Sequence, residues 1–477
     1  MKKLNLIISV LTFITFNSYA QYTKLLDFVG VADGSLPHAS FVSDGTFLYG
    51  TTSYGGINNK GVIFKIRPDG TEYIKLLDFA GTTNGNTPWG SLVSDGTYLY
   101  GMTNGGGSAN MGTIFKIMPD GTGYSKLLNF TGTSNGSYPY CYLIYDSTFL
   151  YGMTIQGGTN DKGVIFKIKP DGTGYLKLLD FIGVSNGQAP TGGLISDGTF
   201  LYGMTDMGGT NNKGVIFKIK PDGTGYIKLL DFAGASNGRV PTGSLISDGT
   251  FLYGMTYYGG LNDVGTIFKI MPDGTGYSKL HDFANAADGG SPYGSLIFNG
   301  TFLYGMARVG GINGDGTIFK IKPDGTEFTK LLDLDTTIGI SPYGSLFSDG
   351  TFLYGMTYTG GTNNLGTIFK YKDSTINVIN VNHVETDFTI FPNPTNGIFT
   401  LTQTNNLKSI KILNILGKEI YCSFINNDHT EINLTSVPKG IYFVKVDNGV
   451  QVHVEKIVIN WKNKITVGNT TYNPCRQ

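Results

Sequence analysis

Three sets of side chains in this sequence are of types that bind or react. The first is aromatic. His38, Trp89, Tyr140, Thr191, Thr242, Tyr293 and Tyr343 each follow a proline, at intervals of 51 residues (50 for the last). Just before a recurrent Gly-Gly pair stand Tyr54, Tyr257, Tyr258 and Tyr358, with Asp206, Gln156 and Arg308 as polar counterparts. Exposed aromatic rings with a few polar neighbours, as expected here, suit stacking on sugar faces or gripping a peptide. Drift at tolerant loop tips, in a chain with 29 Tyr, would produce the same list. The second set is the aspartate that closes each "KLLDF" segment: Asp27, Asp78, Asp180, Asp231, Asp282 and Asp333. Catalysis needs one asymmetric cluster, and a copy in nearly every repeat suits an Asx-type bond holding the loop that follows. The third set is five histidines, His38, His281, His383, His429 and His453, which show no metal-ligand spacing. No nucleophile–base pair and no phosphate loop is readable, so the expectation is no catalytic residue, no metal and no cofactor.

What positions these residues is a repeat. "LYG" recurs at Leu48, Leu99, Leu150, Leu201, Leu252, Leu303 and Leu353. In the fifth copy four strands are readable: Gly243–Ser247, Thr250–Thr256, Gly265–Met271 and Gly276–Phe283. "SDGT" and "PDGT" are tight turns, in which Asp bonds the backbone and Gly takes positive φ. Tight turns join antiparallel neighbours, so each copy is a meander. Near-continuous apolar runs such as "FLYGM" and "VIFKI" suit sheets covered on both faces. A covered four-stranded meander every ~50 residues is a propeller blade. Tyr22–Phe28 is a fourth strand with no first three before it, and the last copy supplies only three. The expected fold is therefore all-β: a seven-bladed β-propeller closed by the N-terminal strand, followed by a small Ig-like β-sandwich. Strand parity puts the two longer connectors of every copy on one rim, where the sequence varies, and the tight turns on the other.

Composition agrees with an all-β, exported protein. The 477 residues carry 70 Gly and 59 Tyr plus Phe, and the formal charge is zero with 15% charged residues, which excludes an electrostatic nucleic-acid binder. Lys2, Lys3, the apolar Leu4–Phe16 and Ser18-Tyr19-Ala20 read as a cleaved secretory signal over residues 1–20. No other apolar stretch approaches that length, so no membrane span is expected. Cys141, Cys422 and Cys475 read as unpaired, a Cys422–Cys475 bridge being the alternative.

Two resemblances sharpen this reading. The "DGTFLYGMT…GTIFKI…PDGT" units resemble the GloVer tandem repeat of secreted bacterial proteins over Tyr22–Lys372. That resemblance implies a propeller and carries no site residues. After a linker at 373–387, "FTIFPNPTNGIFTL", "IKILNILGKEIY", "PKGIYFVKV" and "EKIVI" read as sandwich strands over 388–460. They resemble the type A sorting domain of the type IX secretion system, through Pro392, Asn393, Pro394, Gly397, Gly440 and Tyr442. The resemblance implies the type IX machinery as partner and a receptor-read address. Family members stop near the "KIVI" strand, whereas this chain continues as a tail over 461–477. The expected function is a secreted or cell-surface, non-catalytic propeller. Its ligand would be a glycan or protein held by His38, Trp89, Tyr140, Tyr257, Tyr258, Tyr293, Tyr343 and Tyr358. A polysaccharide-acting enzyme and a purely structural surface protein are the alternatives.

Overall fold

The computed structural model describes residues 21–373, then 388–391, 395, 397–403, 409–414, 419–424, 429–438, 440–447 and 452–459. The expected signal segment, the linker beyond Asp373, Pro392-Asn393-Pro394 and the tail lie outside the described residues. All regular structure among the described residues is β.

In the first repeat, Val42–Ser43, Leu48–Thr52, Val62–Ile66 and Ile74–Asp78 pair antiparallel in chain order, and the later repeats follow suit. The second and third strands are buried almost throughout, as their apolar runs require. The "SDGT" turn explains why "LYG" recurs. Asp44 Oδ1 accepts from the Thr46 and Phe47 N–H groups at 2.8 Å, and its Oδ2 accepts from the Tyr49 hydroxyl at 2.7 Å. The tyrosine ring is thus buried without an orphaned hydroxyl, and Asp95, Asp146, Asp197, Asp248 and Asp349 repeat the arrangement. In "PDGT", Asp69 caps Thr71 in the same spirit, at 2.9 Å to its N–H. Adjacent sheets are joined by the lysine of "IFKI". Lys65 Nζ lies 4.7 Å from the Phe47 ring centre and donates to the Pro119 carbonyl of the next repeat at 3.0 Å.

The N-terminal strand completes the seventh sheet. Tyr22–Asp27 pairs antiparallel with Thr367–Tyr371. The Tyr22 hydroxyl donates to the Ile338 carbonyl at 2.8 Å, as the equivalent Tyr124 does to Asn84. The first and seventh sheets also meet directly: Leu36 N–H donates to the Leu365 carbonyl at 2.8 Å, and Ser345 N–H to Ser40 Oγ at 2.6 Å.

Three expectations are corrected. The innermost strand is two residues long in most repeats, not five, because the preceding Gly-Ser backbone turns toward the neighbouring sheet; Ser40 N–H donates to Ser91 Oγ at 2.8 Å. Only the fifth repeat has a long one, Arg239–Ser247. The "KLLDF" aspartate holds the preceding Gly-Gly loop and not the following one. Asp78 Oδ1 accepts from Ile57 N–H at 2.9 Å and its Oδ2 pairs with Lys75 at 3.0 Å. The loop that follows is held by its own residue, Asn84, which accepts from Ala80 N–H at 2.6 Å. Finally Asp373, read as the first linker residue, is built into the repeats. Its carboxylate pairs with Lys320 at 2.9 Å, with both side chains buried.

C-terminal to the repeats, Phe388–Phe391, Ile398–Gln403 and His429–Asn433 form one antiparallel sheet. Glu419–Phe424, Ser409–Asn414, Gly440–Asp447 and Val452–Ile459 form a second. Phe399, Leu401 and Ile432 from the first share a core with Ile410, Ile412, Val444 and Ile457 from the second. Of the motif residues, Gly397 takes φ +105° where its carbonyl accepts from Leu434 N–H, and the buried Tyr442 ring donates its hydroxyl to the Pro438 carbonyl.

Candidate central aromatic site

A strained backbone position aims the variable residues. The residue before the loop proline is left-handed in every repeat: Leu36, Thr87, Tyr138, Ala189, Val240, Ser291 and Ser341 have φ between 50° and 54°. For non-glycine residues, and before proline, that conformation is costly and survives only where its surroundings fix it. They do so here. Thr87 N–H donates to the Lys60 carbonyl of the preceding repeat at 2.9 Å, and its own carbonyl accepts from Asn104 N–H at 3.0 Å. The two long connectors of a repeat are also knit together, as Ser35 and Tyr54 exchange backbone bonds of 2.9 and 3.1 Å. Both connectors therefore occupy one end of the sheet, as strand parity requires.

The side chains after the proline converge. His38 is buried and surrounded: ring centres of Tyr343, Tyr140, Tyr293, Trp89 and Tyr358 lie at 4.6, 5.4, 5.4, 5.9 and 6.3 Å. Trp89 and Tyr140 are 4.3 Å apart, and Tyr257 reaches Tyr293 at 5.9 Å and Tyr258 at 4.5 Å. These rings were expected to stand exposed. Only Tyr258 and Tyr54 do, and the rest are half-buried against one another. No ring contact joins Tyr54 to this cluster, Gln156 is exposed, and Thr242 spends its hydroxyl on the Pro292 carbonyl at 2.9 Å.

Two charged groups join the cluster. Asp206 Oδ1 accepts from the Thr191 hydroxyl at 2.5 Å, and burial pushes this carboxyl up to about 7, partly offset by that bond. Arg308 lies with its guanidinium 5.0 Å from the Tyr343 ring centre and donates to the Tyr257 hydroxyl. Burial brings His38 down to about 4, and the nearby Arg308 charge adds to that. His38 is therefore neutral near pH 7, and its Nε2 lies 3.3 Å from the Tyr140 hydroxyl. Burial likewise holds the Tyr140 hydroxyl up at about 12, so it stays protonated near pH 7.

Beneath the aromatic layer runs a cavity lined by two further rings of residues, Ala39, Gly90, Cys141, Gly192, Gly243, Gly294 and Gly344, then Ser40, Ser91, Tyr142, Gly193, Ser244, Ser295 and Ser345. At Gly192 in the first, glycine is needed: a Cβ there would fall 1.7 Å from the Gly243 carbonyl oxygen. Tyr142 breaks the second ring, its side chain lying where a Gly193 Cβ would come within 2.8 Å. Sequence reasoning missed this pair, although the Ser→Tyr and Ser→Gly departures in adjacent copies were visible. It also missed the Thr191–Asp206 contact. Among the described residues no group of three His, Cys, Asp or Glu is placed to hold a metal ion.

The model of the Gloeobacter/Verrucomicrobia repeat matches this sequence over residues 12–149, 135–260 and 246–408, and that of a secretion system C-terminal sorting domain over residues 389–460. No curated protein matches. Among solved structures, PorZ of Porphyromonas gingivalis, a surface component of the type-IX secretion system, is 14% identical over 91% of this chain and 61% of its own (TM-score 0.47). The extracellular domain of a one component system from B. thetaiotaomicron is 12% identical over 92% of this chain and 58% of its own (TM-score 0.48). A puromycin-hydrolyzing peptidase of Mycobacterium tuberculosis is 12% identical over 81% and 62% (TM-score 0.50), a likeness of fold alone. The chain spans less than two thirds of the length of each.

Proposed function

The chain belongs to the Gloeobacter/Verrucomicrobia repeat family, and from that premise we propose a non-catalytic binding protein whose repeat region is a closed seven-bladed β-propeller holding a glycan or protein at the aromatic centre of its variable rim. Its type IX sorting domain makes it a secreted or outer-surface protein handled by that machinery. Ring closure is supported by the pairing of Tyr22–Asp27 with Thr367–Tyr371 and by the Leu36–Leu365 and Ser345–Ser40 bonds between the first and last repeats. In this reading residues 1–20 are a signal peptide, 21–373 the propeller, 374–387 a linker, 388–460 the sorting sandwich and 461–477 a tail.

One observation carries the binding reading: the variable positions of separate repeats gather as one aromatic cluster around His38, while the opposite turns hardly change. A glycan array probed with the mature chain tests it. A stacking ring contributes about 1–3 kcal/mol by analogy with base stacking, so Trp89→Ala should weaken any hit roughly 5- to 150-fold. Asp171→Asn in an opposite turn should cost stability and leave affinity alone. Equal effects of the two at matched stability would remove the case. The enzyme reading is favoured by one feature, the Asp206 carboxyl, which burial sets near 7, the range of a general acid. Product analysis on any bound oligosaccharide decides between them: turnover that Asp206→Asn abolishes would make this an enzyme.

A further inference from the structure

We propose that the ligand of this cluster is an acidic saccharide, its carboxylate paired with Arg308 and its hydroxyls bonded to Asp206; the proposal deepens the binding reading above and rests on it. Of the three arginines among the described residues, Arg67 and Arg239 pair with Glu72 and Asp263 at 2.7 and 2.9 Å. Among the described residues no carboxylate lies within ion-pair distance of Arg308. It is half-buried, its Nε is buried without a hydrogen-bond partner, and its fixed neighbours are the Tyr343 ring and the Tyr257 hydroxyl. A partly desolvated guanidinium without a counter-anion is costly, and its planar fork matches a carboxylate. The geometry therefore holds an anion-binding group in place and leaves the anion to be supplied from outside.

Asp206, Tyr257 and Arg308 occupy the same position in three consecutive repeats, and Arg308 donates to the Tyr257 hydroxyl. Among the described residues the carboxyl has one hydrogen-bond partner, the Thr191 hydroxyl. A carboxyl with spare acceptor capacity bonds sugar hydroxyls, and aromatic rings such as those of Tyr257 and Tyr358 suit sugar C–H groups. An acidic peptide is less well served. Peptide capture along an open edge needs free backbone donors, and the long connectors use theirs on each other, as Ser35 and Tyr54 do.

The test uses the full mature chain and a panel of alginate, polygalacturonate and chondroitin hexasaccharides, each beside its carboxyl-reduced counterpart, with hexaglutamate as the peptide arm. At least one acidic hexasaccharide should bind roughly 10- to 100-fold more tightly than its reduced form. Arg308→Met should erase that difference while sparing the reduced form, and Arg308→Lys should restore part of it. The preference should also shrink with added salt. Equal binding of acidic and reduced forms, unaffected by Arg308→Met, overturns the acidic-ligand proposal and leaves the binding reading standing. Binding of hexaglutamate alone overturns the saccharide in favour of a peptide. If nothing in the panel binds, the acidic-saccharide proposal falls, and the binding reading is decided by the glycan array.

Discussion

Replacing Asp373 should destabilise the repeat region far more than its place at the end of the repeats suggests. In earlier repeats the "IFKI" lysine donates to a proline carbonyl of the next repeat, as Lys167 does to Pro221 at 2.9 Å. Lys320 faces Asp373 in that slot instead, at 2.9 Å, with the two side chains 6% and 3% exposed. Asp373 also accepts from the Tyr304 hydroxyl at 3.1 Å, a bond that other repeats give to the turn aspartate and that Asn299 cannot offer as a carboxylate. Asp373→Ala leaves a buried ammonium without its counter-charge, which costs about 3–5 kcal/mol. Asp171→Ala, which removes exposed turn bonds to Thr173, should cost about 0.5–1.5 kcal/mol. Urea unfolding of the mature chains, with midpoints compared at unchanged m-values, measures both. Two further variants isolate the cause. Lys320→Met/Asp373→Leu should recover most of the loss, because apolar replacement of a buried pair is close to neutral. Asn299→Asp in the Asp373→Ala background should recover part, by restoring the carboxylate that Tyr49 and Lys65 find in Asp44. If Asp373→Ala costs no more than Asp171→Ala, the buried pair does not hold the last repeats together and the reasoning fails.

The central cluster should show two opposed pH dependences. His38 is lowered in the fold, so the unfolded chain binds its proton more readily and stability through this group rises with pH between about 4 and 6.5. Asp206 is raised, so its contribution falls as pH rises between about 4 and 7; the titratable groups that feel its charge are Tyr140 and Tyr293. Stability–pH curves of His38→Gln and Asp206→Asn should therefore tilt in opposite directions from the parent, the Asp206→Asn gain reaching roughly 2–4 kcal/mol by about pH 8; parallel curves would refute the placement of these groups. Deleting Tyr22–Phe28 bares the Thr367–Tyr371 edge and removes the buried Phe28, so cooperative melting should be lost; a truncated chain that melts like the parent would contradict closure. Removing 388–477 should leave the repeats folded but retained in the periplasm of a type IX-competent host, and fractionation that finds the shortened chain outside would contradict the sorting role.

How much of this was legible depended on whether the physical reason lay within one repeat. The "SDGT" turn is local: Asp44 satisfies the Thr46 and Phe47 N–H groups and the Tyr49 hydroxyl within a few residues, so its recurrence could be read as hairpin chemistry. The "KLLDF" aspartate was misassigned because two loops flank it in space. Ile57 lies 21 residues before Asp78, and only sheet pairing decides between the preceding loop and the following one. The lysine clamp spans 54 residues from Lys65 to Pro119 and nothing local announces it. The left-handed residue before each proline runs against local preference, and the neighbouring repeat's carbonyl supplies what holds it.

The same logic separates architecture from function. Whatever recurs in every copy is answered by a contact that also recurs, so the repeated residues account for the sheets and the joins between them. Residues that break the pattern cannot be explained that way. Asn299 and Asp373 break it together and answer each other across a repeat boundary. Tyr142 breaks it beside Gly193, which makes room. Asp206 and Arg308 also break it, at one shared position two repeats apart, yet neither meets an opposite charge within the described protein. A departure answered inside the fold is structural repair. A departure that leaves charge unanswered in a half-buried aromatic cluster is what the proposed ligand would answer, and for that reason the variable rim and not the uniform one is the face to probe.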